Sequence, residues 1–107
     1  MFSISPKLGI AVSKCNGKGF QITFSNGNLV SVQFGVGNYC ENEDCGTFDL
    51  EKNTPTCRDA EIAAWTKDGT WYKFPHDTIM GRVTPDEVAS FIQFVATSDL
   101  TKDRWEQ

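Results

Sequence analysis

Basic side chains are scarce in this chain and nowhere clustered. Lysine and arginine number 10 against 14 aspartates and glutamates, for a formal net charge of −4, and arginine stands only at Arg58, Arg82 and Arg104. A sequence-independent grip on a phosphate backbone needs a concentrated basic surface. Direct nucleic-acid binding is therefore not expected, whereas an acidic binder aimed at a basic surface of another protein fits the balance. Long apolar runs are missing too. The N-terminal MFSISPKLGIAVSKCNGKG holds one short apolar stretch, Leu8–Val12, too brief for a membrane span or the core of an export signal. The expected setting is a reducing cytosol, where the four cysteines are thiols or metal ligands rather than a disulfide framework. Histidine occurs once, at His76 behind Pro75. With no readable nucleophile or orienting partner, it makes no catalytic set. Neither an enzyme nor a cofactor is expected.

What is present describes one small domain over residues 1–107, with 39% hydrophobic and 12% aromatic residues, enough for a core without staples. The strongest local signal is GFQITFSNGNLVSVQFGVGNYC, residues 19–40. Phe20, Ile22 and Phe24 alternate with polar neighbours, Asn26-Gly27 follows, and the alternation resumes at Val30, Val32 and Phe34. That pattern predicts a hairpin with strands at 19–25 and 29–35. Residues 1–18 read as a lead-in, with a marginal edge strand at Leu8–Val12, and 37–58 as a long polar connection. A second hairpin is predicted from Ala60–Trp65 and Thr70–Phe74 around Asp68-Gly69, closed by Pro75, which has no N–H for a ladder.

The helix is the clearest element. Thr84 offers an N-cap, Pro85 suits the first helical position, and Glu87 completes a capping box. Val83 and Val88 are placed for a hydrophobic staple, while Val88, Phe91, Ile92 and Val95 make one apolar face ending near Thr97 or Ser98. Residues 99–107 read as a polar tail carrying Trp105. The expected fold is α+β: an antiparallel sheet of about four strands from two hairpins, with one C-terminal amphipathic helix on one face. An exposed sheet face and an unpaired edge strand would favour a homodimer.

Several residue groups are candidates for chemistry. Cys15, Cys40, Cys45 and Cys57 could form a tetrahedral zinc site, but they lie in different segments and lack the paired short spacing of a zinc knuckle. Core and loop thiols are the simpler account. Glu41, Glu43, Asp44, Asp49 and Glu51 do not follow the ligand order of a calcium loop and read as a solvated acidic loop, a possible contact for a basic partner. The loop Gly35, Gly37, Asn38, Tyr39 permits positive φ and outward N–H groups, but it is not a dinucleotide fingerprint. If the hairpins lie side by side, Tyr39 with Trp65, Trp71 and Tyr72 would put aromatic surface beside that loop, as a base-and-phosphate ligand requires. Packing in a small core competes with that use of the rings.

The blocks GFQITFSNGNLVSVQFGVGNYCEN, AEIAAWTKDGTWYKF and VTPDEVASFIQFVA resemble a group of small accessory proteins encoded by tailed bacteriophages. The likeness covers most of residues 19–96 and brings no catalytic residues with it. It implies a role in the host cytosol outside the virion. The expected function is a non-enzymatic binder that inhibits a bacterial host protein, a defence component among them. One alternative is an oligomeric sponge for a nucleotide immune signal, centred on Gly35–Tyr39, Trp65 and Trp71. The other is a small zinc-stabilised interaction module.

Overall fold

The computed structural model describes residues 2–3, 19–35 and 56–106. Its main body is a four-stranded antiparallel sheet with one helix against it, as the sequence pattern predicts. In chain order the strands are β1 (Phe2–Ser3), β2 (Gly19–Thr23), β3 (Leu29–Gln33), β4 (Thr56–Cys57), β5 (Ala60–Trp65) and β6 (Met80–Val83), followed by α1 (Pro85–Thr97). The sheet order is β2-β3-β5-β6, while β1 and β4 form a separate two-stranded ladder. The expected edge strand at Leu8–Val12 lies outside the described residues.

Register explains the two faces. Phe20 pairs with Val32 and Ile22 with Val30 across β2–β3, and Val30 pairs with Ala64 and Val32 with Ile62 across β3–β5. Strand side chains alternate at period two, so these residues share one face. That face carries the buried Val30, Val32, Phe34, Ile62 and Ala64, against which Val88, Phe91 and Val95 of the helix close. Removing this much apolar surface from water is the main stabilisation of the domain.

Both tight turns have the same construction. Phe24 N–H donates to Asn28 O and Gly27 N–H to Phe24 O; Thr66 N–H donates to Thr70 O and Gly69 N–H to Thr66 O. Gly27 (φ 90°) and Gly69 (φ 87°) occupy the left-handed position. These are three-residue loops with a glycine bulge, one residue longer than the two-residue Asn-Gly turn. Leu29 pairs with Trp65, so both turns lie at the same end of the sheet.

The second hairpin departs from the sequence reading. Trp71 forms an isolated bridge with Trp65, and Tyr72 N–H donates to Ala64 O at 2.8 Å. Residues 73–79 then leave the sheet, and the chain returns as β6, with Met80 beside Ile62 and Val83 beside Ala60. The returning strand is thus split, and the fourth full strand is 80–83 rather than 70–74. Pro75 interrupts the ladder, and a turn closed by Phe74 N–H to Asp77 O at 2.8 Å carries the chain around it. The inward alternation of Tyr72 and Phe74 continues past the last backbone bond to β5, at Tyr72, and both rings pack under the helix. A register shift between Ala60 and Ile62 marks the re-entry, where Arg82 sits at φ 58°.

The C-terminal segment is not a free tail. Leu100 is buried, and the Trp105 ring meets Phe91 at 4.9 Å and Phe74 at 6.3 Å between centroids. Trp105 N–H donates to the Tyr72 hydroxyl at 3.0 Å, and its indole Nε1–H donates to Ser90 Oγ at 3.0 Å. An amphipathic ring with its polar edge satisfied is a stable lid for a small core.

Candidate binding surface at the turn end of the sheet

Trp65 closes β5 on the face turned away from the helix, and the turn between Thr66 and Thr70 brings Trp71 back against it. The rings lie against each other with centroids 5.0 Å apart and planes tilted by 30°. Trp71 is 44% exposed, the one large hydrophobic side chain exposed among the described residues, while Trp65 is half-buried across from half-buried Leu29. Along the same face the middle is small and closely packed: Ser31 and Ala63 are buried neighbours, and Gln33 Nε2–H donates to Ser31 Oγ at 3.1 Å. The result is an exposed tryptophan at the end of a face whose middle is buried.

On the helix side of the same end, a polar depression is lined by Asn26, Lys67, Asp68, Ser98, Asp99 and Thr101 among others. The Asp99 carboxylate is held below its ordinary pKa by the Thr101 hydroxyl first, then by the Thr101 backbone N–H and the Lys102 charge. A second depression runs between Tyr72, Lys73, Pro75, Arg104 and Trp105, with the Arg104 guanidinium 6.0 Å from the Tyr72 ring centre. That is the outer limit of a cation–π contact.

The predicted site residues are not all gathered here. Trp65 and Trp71 are brought together. Gly35 is buried beyond the opposite end of β3. At about 3.3 Å per residue it stands roughly 20 Å from the level of Leu29 and the tryptophans, farther than one nucleotide spans. The imagined adjacency of the glycine loop and the tryptophan pair is therefore not formed at Gly35, because the two lie at opposite ends of the strands. Tyr72 is also lost as a ligand surface, being buried among Phe74, Phe91 and Phe94. Gly37, Asn38, Tyr39, Glu41, Glu43 and Asp44 lie outside the described residues, as do Cys15, Cys40 and Cys45.

The remaining cysteine, Cys57, is buried in the core with Sγ 3.8 Å from Asp59 Oδ1. Among the described residues, no group of three or more His, Cys, Asp or Glu is placed to hold a metal ion. The sequence reading missed Asn26 and Asn28, whose side chains reach across to the end of α1. Their only sequence signal was membership of the turn. Comparison with protein-family models, curated proteins and solved structures gives no match.

Proposed function

We propose that this chain is a non-enzymatic binding protein that inhibits a bacterial host protein, and that it grips its partner through the Trp65–Trp71 step. The observation that supports this is Trp71, an indole left 44% exposed although the tilted Trp65 ring and a turn hold it in place. Tryptophan is the side chain most often found as an energetic anchor in protein interfaces, and a pre-ordered ring loses little entropy on docking. The likeness to phage accessory proteins supplies the host setting, and the net charge of −4 favours a partner with a basic surface.

Affinity capture from bacterial lysate with the tagged protein tests the reading, run in parallel with Trp71→Ala. A stoichiometric protein retained by the parent and lost by the variant is the expected result. Retention of the same partner by Trp71→Ala would remove the tryptophan step from the interface. A nucleotide released on heating, with no protein partner, would replace the inhibitor reading with the sponge reading.

A further inference from the structure

Asn26-Gly27 is a dipeptide in which the backbone nitrogen of the glycine can attack the preceding side-chain amide, since glycine has no side chain to crowd the approach. Here the same side chain has a structural task. Asn26 Nδ2–H donates to Val95 O at 3.2 Å and Ala96 O at 3.1 Å, and its Oδ1 accepts from Asn28 N–H at 3.0 Å. The attacking nitrogen is engaged as well, with Gly27 N–H donating to Phe24 O at 2.9 Å. Beside it, Asn28 Nδ2–H donates to Val95 O at 2.9 Å and Ser98 O at 3.0 Å. The last turn of α1 carries no basic residue, and among the described residues these two side-chain amides donate to the carbonyl end of the helix dipole.

We propose that Asn26 is a deamidation site that the folded state holds in check, and that its conversion unlatches the C-terminus of α1. In the reaction the deprotonated Gly27 nitrogen bonds to Asn26 Cγ, the Cγ–Nδ2 bond breaks, and Nδ2 leaves as ammonia after taking up a proton. Water then opens the five-membered succinimide at either carbonyl, leaving aspartate or isoaspartate. Both products replace an amide donor with a carboxylate facing two carbonyl oxygens at the negative end of the helix. Isoaspartate also lengthens the backbone inside a turn whose hydrogen bonds fix the β2–β3 register. The protection is mutual. The helix fixes the side chain that would react, and the unreacted side chain holds the helix.

The test needs no variant at first. The full-length protein is incubated at mildly alkaline pH with and without urea, and the peptides bearing Asn26 are followed by mass spectrometry. Asn16-Gly17, the other Asn-Gly pair of the chain, supplies an unfolded-state reference rate in the urea sample. Conversion of Asn26 should be slower in native buffer than in urea by more than about tenfold, because reaction then waits on local opening. Equal rates in the two samples would overturn the protection. Asn28→Ala, which weakens the same latch without altering the reacting pair, should raise the native rate. If it does not fold, the comparison of native and urea samples stands alone. Asn26→Asp should unfold at a lower temperature than Asn26→Ala at neutral pH, with the gap narrowing in acid as the new carboxyl is protonated; Lys67, Asp68 and Asp99, which line the same depression, are common to both variants. Equal midpoints at neutral pH would overturn the unlatching.

Discussion

At its first turn, α1 is closed by its own residues. Thr84 Oγ1 accepts from Glu87 N–H at 3.3 Å, and Glu87 Oε1 accepts from Thr84 N–H at 3.0 Å, a reciprocal pair three residues apart. At its last turn the same helix is closed by Asn28, which reaches Val95 O and Ser98 O across sequence separations of 67 and 70. Each end has orphan backbone groups to satisfy, donors at one and acceptors at the other. The first solution forms wherever the segment is helical. The second exists only once the β2–β3 turn and the helix are docked, so it ties helix integrity to tertiary structure. A local cap lowers the cost of starting a helix, whereas a remote cap makes the unfolding of sheet and helix one event.

Breaking the remote cap should do more harm than breaking the local one. Asn28→Ala removes two bonds at a residue only 7% exposed, taking the side-chain donor from Ser98 O and leaving Val95 O with Asn26 alone. The expected loss is about 2 kcal/mol, read as a lower urea midpoint with the slope unchanged. Thr84→Ala should cost about 1 kcal/mol, the usual value of an N-cap side chain. Equal losses at the two ends would mean that the asparagine bonds are not coupled to packing.

The smallest effect belongs to the turn just beyond the helix, where Asp99 accepts from the Thr101 hydroxyl at 2.6 Å and the Thr101 N–H at 2.9 Å. The folded carboxylate has a depressed pKa, so its contribution is present above the ordinary aspartate value and fades as pH falls through the lowered one. Asp99→Asn should therefore be slightly less stable than the parent at neutral pH and indistinguishable from it in strong acid. Thermal melts of both proteins across that range would show the convergence, and a difference that persists in acid would remove the carboxylate from the account.

Legibility follows the same division between local and remote contacts. Hairpin β2–β3 and the capping box were readable because alternation, a turn glycine and a Thr-x-x-Glu spacing all act within a few residues. Strand β6 was not, since Met80-Gly-Arg-Val lacks clean alternation and holds its place by pairing with β5 after an excursion. The docking of Trp105 was equally hidden: its flanks are polar, and its partners Phe91, Phe74, Ser90 and the Tyr72 hydroxyl lie far away in the chain. The candidate site was half legible. Trp65 and Trp71 were marked by the turn between them, but the strand register separates them from Gly35.

The sequence by itself determined the β2–β3 hairpin, strand β5, the two glycine turns and the capped helix, and which side of each would be apolar, because those properties arise from steric and hydrogen-bond preferences of near neighbours. Only the tertiary structure decided that both turns and the helix C-terminus meet at one end, that two turn asparagines cap that helix, and that one tryptophan remains exposed there. Those outcomes depend on register and packing between segments distant in the chain, where a shift of one residue would send every side chain of a strand to the opposite face.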